Sequence, residues 1–277
     1  MSRVTCVVLL AAGLGVPSPG QGPHPCSCSL FGVGSRSSGP RRWCHLGRRK
    51  IPAGLATSLS NHARLLKEVG RGDEALPISE EVVRLYQELA ELNPDAYLPG
   101  RATSLSNHAF LLAQEGRRHE ALPVSEEALR LRRQLAELNP DAYLPGLAGS
   151  LNNHALLLAQ IGRNDEALPV SEEAVHLHRV LAGLNRDAYL PEYTNALTVL
   201  GHVLVEEARF REAIAPLVQA FIAGRQLPVY AQSIVGAIVD LLRRAYVGDA
   251  DGVSGKFRTV TGQDVPEWMK RPPAVEN

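Results

Sequence analysis

The residues near the start of the chain include four that could bind a metal ion. They are Cys26, Cys28, Cys44 and His45. Thiolates and imidazoles are the usual ligands of zinc. Their spacing fits no common zinc pattern, because Cys26 and Cys28 are separated by one residue, whereas paired zinc ligands are usually separated by two to four. We therefore predict unpaired thiols here, with no metal site and no cofactor.

Three histidines recur at a fixed spacing and could together bind a metal ion or sense pH. They are His62, His108 and His154. Neighbouring helices pack about 8–10 Å apart, whereas zinc ligands lie about 2 Å from the ion, so one ion could not gather all three. We predict that they are partly buried packing residues. His176 and His178 are predicted to lie on a solvated helix face.

Three asparagines recur at the same spacing and could bind a peptide. They are Asn61, Asn107 and Asn153. An amide donates and accepts hydrogen bonds at once, so it can pair with a peptide backbone of any sequence. The alternative is that these amides tie adjacent helices together. The sequence favours peptide binding, because repeated exposed polar residues tend to serve binding.

The histidines and asparagines recur because the chain itself repeats every 46 residues. The text of Arg101–Gly146 is nearly reproduced at 55–100 and again at 147–192. Self-similarity at a fixed period of this length indicates a solenoid of stacked units. We predict an array over 53–228, made of these three units and a divergent fourth at 193–228.

Each unit contains two amphipathic helical patterns separated by a glycine, which suits the positive φ angle that ends many helices. These glycines are Gly70, Gly116 and Gly162. The second helix is predicted to start around Asp73, His119 or Asp165. Asn-Pro-Asp at 93–95 and its copy at 139–141 are predicted to stop it. Residues 97–99 and their copies are then predicted to lead into the next unit and to pack across the junction between units.

The second helix of each unit carries a narrow apolar stripe, which predicts packing on one side and exposure to water on the other. In the second unit the stripe consists of Ala121, Val124, Ala128, Leu131 and Leu135. Charged residues lie between these positions, and we predict a solvated face with pairs four residues apart. They are Glu126, Glu127, Arg130, Arg132 and Arg133.

Residues 1–52 differ from the rest in composition. They are rich in Gly, Pro, Ser and Arg, and residues 1–53 contain seven basic residues and no acidic one. Such a composition cannot bury enough apolar surface to fold, so we predict a disordered tail. The apolar run Val4–Val16 behind Arg3 also resembles a weak secretory signal. We predict a cytoplasmic protein, with secretion as the alternative.

The rest of the chain is acidic. The whole sequence has 29 basic and 29 acidic residues, so residues 54–277 have 22 basic against 29 acidic, a net charge of −7. Nucleic-acid binding depends on basic contacts to phosphate, so we predict no nucleic-acid partner. No apolar run reaches the roughly 20 residues that span a bilayer, so we predict no membrane partner.

Small residues recur at the places where two helices must approach closely, and this pattern resembles the tetratricopeptide repeat. In the first unit they are Ala63, Gly70, Ala75 and Val82. The text S-L-x-N-x-A followed by G-R-x-x-E-A-L-P is closer to the kinesin-light-chain type. Arrays with NPDAYLP resemble actinobacterial proteins, often joined to signalling ATPase or caspase-like modules. One departure is that Ser79, Ser125 and Ser171 replace the family's usual aromatic residue.

The usual tetratricopeptide unit has 34 residues. We predict that the 12 additional residues here lengthen the second helix and its exit loop. The resemblance implies an all-α, right-handed superhelical solenoid of antiparallel helix pairs, whose first helices line a concave groove. Residues 229–277 are predicted to form capping helices and a tail.

The resemblance also implies a non-catalytic scaffold or adaptor that binds an extended peptide or partner protein in its groove. The predicted groove residues are Asn61, Arg64, Lys67, Asn107, Phe110, Asn153 and Leu156. Arg64 and Lys67 form a basic end, while Phe110 and Leu156 make the middle apolar, so we predict a preference for acidic and bulky apolar residues.

Two further expectations concern the partners of the array. The alternative function is a regulatory or sensor array that works with a signalling ATPase or a caspase-like protease. The exposed first repeat could also self-associate. We predict no enzyme activity, since the glycines around Lys256 only superficially resemble a phosphate-binding loop and lack its spacing and its final hydroxyl residue.

Overall fold

The structure, a computed structural model, describes residues 53–228 and 233–271. The predicted tail, the signal-like segment and the cysteine cluster lie outside these residues. The described residues form ten α-helices and no strand, which confirms the predicted all-α fold. The helices are α1 (Ala53–Glu68), α2 (Gly72–Leu92), α3 (Pro94–Gln114), α4 (Arg118–Leu138), α5 (Pro140–Gln160), α6 (Asn164–Leu184), α7 (Arg186–Glu206), α8 (Phe210–Gly224), α9 (Ser233–Gly248) and α10 (Ala250–Thr261).

The helices pack in sequential order, and consecutive helices form the units of a solenoid. We call α1, α3, α5 and α7 the A helices and α2, α4, α6 and α8 the B helices. Helices α3, α5 and α7 each pack between the B helix that precedes them and the B helix that follows. Within the described residues, α1 packs against α2 alone among the B helices.

A single asparagine joins each B helix to the next A helix. Asn93 ends α2 and begins α3, and its side-chain oxygen accepts a hydrogen bond from the backbone N–H of Ala96. Asn139 and Asn185 do the same at the next two junctions. An amide oxygen that accepts from a first-turn N–H stabilises a helix start by about 1 kcal/mol.

The predicted exit loop is wrong. Residues 97–99 lie inside α3, which begins at Pro94. Proline is tolerated at the first helical position, where its missing N–H would have no partner within the helix. Helices α3 and α4 both contain 21 residues, so the residues beyond the usual unit lengthen both helices and add no loop.

A three-residue turn joins each A helix to its B helix, and in the first three units this turn contains a glycine, as predicted. Gly116 has a φ angle of +79°, and the N–H of Arg117 donates to the carbonyl of Leu112 at 2.8 Å. This is the hydrogen-bond pattern that satisfies the last carbonyls of a helix. The fourth unit has Ala208 at this place, with a φ angle of +57°.

The B helices begin one residue earlier than predicted, and their N-cap residue is an arginine. Arg117 precedes α4 and makes no side-chain cap, but its guanidinium binds both carboxylate oxygens of Glu120. The same pair recurs in the other units as Arg71–Glu74, Arg163–Glu166 and Arg209–Glu212. These pairs are exposed, and we assign them no large part in stability.

The predicted apolar stripe of the B helices is the core of each unit. Leu131 and Leu135 of α4 are buried with Ala102 and Leu105 of α3. Fully burying a leucine side chain stabilises a protein by about 1.5–3 kcal/mol. None of the helices described is both long and apolar enough to cross a membrane.

The largest apolar cluster lies at the C-terminal end of the array, where α7 and α8 meet α9 and α10. Leu217 and Met269 are fully buried there. The ring of Trp268 stacks on Phe221, with the ring centres 5.5 Å apart. These contacts cover the apolar face of the last B helix.

Candidate functional site

Each A helix has a row of accessible side chains along one of its faces. In α3 this row consists of Gly100, Thr103, Asn107, Phe110 and Gln114, which are exposed or half-buried. The spacing of three or four residues places them on one face of the helix. We call the surface formed by these positions in α1, α3, α5 and α7 the A surface.

Neighbouring A helices touch each other beside this surface. The hydroxyls of Ser106 in α3 and Ser150 in α5 lie 3.1 Å apart. The ammonium of Lys67 in α1 lies 3.8 Å from the ring centre of Phe110 in α3. Such a cation over an aromatic face contributes about 0.5–1 kcal/mol at an exposed site. The structure therefore brings together two of the predicted groove residues from different units.

The three predicted asparagines occupy equivalent positions on the A surface. Asn61 and Asn107 are exposed, and Asn153 is half-buried. Within the described part of the chain, none of the three side chains makes a hydrogen bond, so no contact supports the alternative that they tie helices together. The fourth unit has Val199 at this position, and it is buried. The row of amides is therefore limited to three units.

The predicted basic end of the groove carries a carboxylate as well. A guanidinium nitrogen of Arg64 lies 2.6 Å from a carboxylate oxygen of Glu68, one turn further along α1. Arg64, Lys67 and Glu68 together have a net charge of +1. The positive charge at this end is therefore smaller than the two basic residues alone would give.

The predicted apolar middle of the groove is only partly accessible. Phe110 is half-buried beneath Lys67. Leu156 is half-buried and packs against the apolar cluster that joins α5, α6 and α7. Both side chains offer part of their surface to a ligand, while the rest holds neighbouring helices together.

One B-helix position also reaches the A surface in the first two units, and sequence reasoning missed it. It is occupied by Tyr86, Arg132 and His178 in the first three units. The Tyr86 hydroxyl lies 3.4 Å from the hydroxyl of Thr57. A guanidinium nitrogen of Arg132 donates to Thr103 at 2.8 Å. This position differs between units although its surroundings repeat, which is the signal that could have identified it.

Arg132 does not lie on the solvated face that the sequence predicts. It is half-buried against Gly146, where a Cβ atom would overlap the guanidinium. Burial lowers the pKa of Arg132 below its usual value. Its Nε atom is buried without a hydrogen-bond partner, and no carboxylate of the described residues pairs with it. The guanidinium of Arg132 therefore lies beside the A surface, and its Nε–H group has no hydrogen-bond partner among the described residues.

The neighbouring charges of α4 pair mostly across helices rather than along α4. Glu127 binds Arg101 of α3 at 2.5 Å, and Arg133 binds Glu173 of α6 at 2.6 Å. The one pair along the helix, Arg130 with Glu127, is longer, at 4.0 Å. The first two pairs connect α4 to the adjacent helices α3 and α6.

His178 is also buried, contrary to the prediction of a solvated face. Its side chain is 3% exposed, and burial lowers its pKa to about 4. Its Nδ1 atom has no hydrogen-bond partner within the described residues. Glu192 occupies the place of Gly146 in the next unit, and burial raises the pKa of this carboxyl. His176, by contrast, is exposed as predicted.

Two of the three periodic histidines are packing residues, as predicted. Nδ1 of His108 lies 2.8 Å from Oγ of Ser79, and Nδ1 of His154 lies 3.0 Å from Oγ of Ser125. Burial lowers the pKa of both imidazoles. Two of the three serines that replace the family's usual aromatic residue, Ser79 and Ser125, therefore each meet a histidine of the next unit.

The histidine–serine contact has a defined direction at the first junction. The Ser79 hydroxyl donates to the carbonyl of Leu76 at 2.7 Å, so its oxygen accepts from Nδ1–H of His108. His62 of the first unit is exposed. Among the described residues, no group of histidine, cysteine and carboxylate side chains could hold a metal ion.

Comparisons with known proteins identify the repeat. Residues 54–134 and residues 147–187 both match family models of the tetratricopeptide repeat. A search of curated proteins finds no match.

Solved structures share the fold. The proposed kinesin light chain of Podosopora anserina, with nearly identical TPR-like repeats, is 19% identical with a TM-score of 0.54, over 75% of this chain and 95% of that one. BtubC (BKLC) from P. vanneervenii is 18% identical with a TM-score of 0.56, over 81% of this chain and 87% of that one. The resemblance to the tetratricopeptide repeat is confirmed and these structures share its fold, while the predicted actinobacterial type stays a prediction.

Proposed function

Because this chain is a tetratricopeptide-repeat protein, we propose that it is a scaffold without catalytic activity that holds an extended segment of a partner protein against its A surface. Repeats of this kind generally mediate contacts between proteins. The observation that carries the proposal is the row formed by Asn61, Asn107 and Asn153. These three amides have no hydrogen-bond partner within the described residues.

A row of unpaired amides suits an extended backbone. Each amide offers one acceptor and two N–H donors, which can pair with the carbonyl and N–H groups of a strand. A net contribution of about 0.5–1.5 kcal/mol per hydrogen bond is typical, so three amides acting together support a measurable affinity. The three asparagines are therefore expected to bind the backbone of the ligand and not its side chains.

The side chains around the amides support a preference for acidic and bulky apolar residues in the ligand. Arg132 places a guanidinium beside Thr103, without a carboxylate partner among the described residues. Hydrogen bonds to charged groups contribute about 1.5–3 kcal/mol. Phe110 and Lys67 offer an aromatic ring and an ammonium side by side for an apolar residue and an acidic one.

The test is a selection from a library of random extended peptides on the full-length protein, followed by affinity measurements on the selected peptides. The triple variant Asn61→Ala, Asn107→Ala, Asn153→Ala should weaken binding by about 10- to 100-fold, because it removes the groups assigned to the ligand backbone. The selected peptides should be enriched in acidic and bulky apolar residues.

A matched control is available on the B helices. Gln87, Gln134 and Gln219 are exposed and lie away from the A surface. Changing all three to alanine removes the same number of amides and should leave the affinity unchanged. Equal affinity of wild type and the asparagine triple variant, with the fold intact by circular dichroism, would contradict the proposed site.

The alternative function, a regulatory array that works with a signalling ATPase or a caspase-like protease, stays a prediction. So does the cytoplasmic location. A partner of either enzyme class, recovered on the full-length protein and lost from the asparagine triple variant, would give the A surface its regulatory role.

A further inference from the structure

The outer side of α1 repeats a helix-packing face that the other units bury. Leu65 is 52% exposed, whereas its counterparts Leu111 and Leu157 are 4% exposed. Ser58 is exposed, whereas Ser104 and Ser150 are buried. In the second and third units the preceding B helix covers these positions. Among the described residues, no helix lies on the outer side of α1.

The exposed positions form a continuous stripe. It consists of Leu55, Ser58, His62, Leu65 and Val69, which we call the α1 stripe. Steps of three and four residues place the first four of these side chains on one side of α1, in the spacing by which two helices pair along a seam, and Val69 follows in the turn directly after α1. Leu55, Leu65 and Val69 make the stripe largely apolar.

The stripe is suited to meet its own copy. An isologous contact places the same patch on both partners, so like charges within it would repel each other. None of the five stripe residues is acidic or basic, apart from the histidine. Along its border, the charges of Arg64 and Glu68 neutralise each other in an ion pair of 2.6 Å. A partner selected by opposite charge would require a charged patch, and this one has none.

A second copy could not cover the stripe with its B helices. Their inward faces are already occupied within the array, and Ser171 of α6 is 1% exposed. The face of α1 is the part of this interface that remains accessible among the described residues. We therefore propose that two copies of this chain associate through the α1 stripes, which pack antiparallel about a two-fold axis near His62.

This dimer is independent of the proposed ligand site. No residue of the α1 stripe is among the residues assigned to the peptide. The oligomeric state and the peptide affinity can therefore be measured separately, and one proposal can fail while the other holds.

The test is analytical ultracentrifugation of the full-length protein from about 1 to 100 µM, since mass action makes self-association depend on concentration. Wild type should shift towards twice the monomer mass of 30.0 kDa. Leu65→Glu should weaken association by at least about 100-fold, because it places two carboxylates in an apolar contact. Leu65 is half exposed in the single chain, so the variant should keep its melting temperature at low concentration.

The matched control is Leu184→Glu. Leu184 is 80% exposed at the end of α6, so this change adds the same charge at an apolar surface position outside the stripe. It should leave the association constant unchanged. A wild type that stays monomeric at every concentration, or a Leu65→Glu variant that associates like wild type, would overturn the proposal.

A mixing experiment tests the two-fold arrangement itself. Leu65→Glu and Leu65→Lys should each be monomeric, because each places like charges across the axis. An equimolar mixture should associate again, because the charges are then opposite. Two monomeric variants that stay monomeric when mixed would overturn the α1-to-α1 arrangement and assign Leu65 to a contact with a different surface.

Discussion

Gly201 of α7 faces Leu217 of α8 so closely that a Cβ atom on Gly201 would overlap the leucine side chain. Both residues are buried. In the first three units the equivalent pairs are alanine and serine: Ala63 with Ser79, Ala109 with Ser125, and Ala155 with Ser171. The fourth unit therefore differs at both positions. It has glycine in place of alanine in α7, and leucine in place of serine in α8 fills the space of the missing methyl group.

We predict that Gly201→Ala lowers the free energy of unfolding by about 1–3 kcal/mol, because the added methyl group overpacks a full core. In a Leu217→Ser background the same change should cost close to nothing, since that background restores the alanine–serine pair of the other units. Urea unfolding of the four proteins, followed by circular dichroism, gives the coupling energy. An equal cost of Gly201→Ala in both backgrounds would show that the two positions are not coupled.

Two substitutions in the turn between the helices of a unit should change the stability of the protein in opposite directions. Gly116→Ala should destabilise the protein by about 1–2 kcal/mol, because an alanine is strained at positive φ. A Cβ atom there would touch nothing within 4 Å, so the cost comes from the backbone alone. Ala208→Gly should stabilise the protein by up to about 1 kcal/mol, since Ala208 already has a φ angle of +57°. Thermal unfolding measures both, and effects of the same sign would contradict this account.

Because several histidines are buried, we predict that the free energy of unfolding decreases as pH falls. Burial lowers the pKa of His178 from 6.5 to about 4 in the folded chain. The unfolded state therefore binds more protons below pH 6.5, and the stability due to the neutral imidazole is lost as pH falls from about 6.5 towards 4. His178 alone should lower the free energy of unfolding by about 2 kcal/mol between pH 7 and pH 5.

Denaturant unfolding at pH 7 and pH 5 checks this effect. His178→Gln should flatten the pH dependence, whereas His176→Gln, at an exposed position of the same helix, should leave it unchanged. Glu192 acts with the opposite sign, because burial raises the pKa of its carboxyl. A His178→Gln variant with the full pH dependence of wild type would assign the loss of stability to other groups.

Arg132 should contribute strongly to the affinity for acidic peptides. In Arg132→Gln we expect the affinity for an acidic peptide to fall by about 10-fold or more, because a charged hydrogen bond is lost. The dependence of affinity on salt should weaken as well. Arg130→Gln is the matched control, since Arg130 lies exposed on α4 away from the A surface. Isothermal titration in low and high salt measures both, and identical losses in the two variants would remove Arg132 from the site.

The repeat and its helix pairs could be predicted from the sequence because each signal acts locally. Gly116 predicted the turn, since only a residue that tolerates positive φ ends a helix in this way. The stripe that includes Leu131 and Leu135 predicted the core, because its spacing is helical. The packing role of His154 followed from the partial burial that is usual for histidine, after the distance between stacked helices had excluded a shared metal ion.

The exit loop was mispredicted because asparagine before proline can both end one helix and begin the next. Asn93 caps two helices at once, and proline at the first helical position favours helix as much as it ends one. Nothing in the local text distinguishes these two roles. Only the packing of α3 against α2 does so.

The positions of Arg132 and His178 could not be predicted from the pattern of charges along the B helices. Both residues are polar, and a polar residue between apolar ones is usually exposed. Arg132 is half-buried instead because Gly146 of the next unit leaves space for its guanidinium. That space depends on the distance between two helices, which the sequence of either helix alone does not contain.

The one-residue junctions at Asn93, Asn139 and Asn185 have a consequence for degradation. Proteases cut most readily at exposed loop tips, where the chain can adopt an extended conformation in the active site. Between α1 and α8 the longest connection is a three-residue turn. Cleavage within this part of the chain therefore requires that helices first unfold, so the rate of limited proteolysis there measures how often a unit opens.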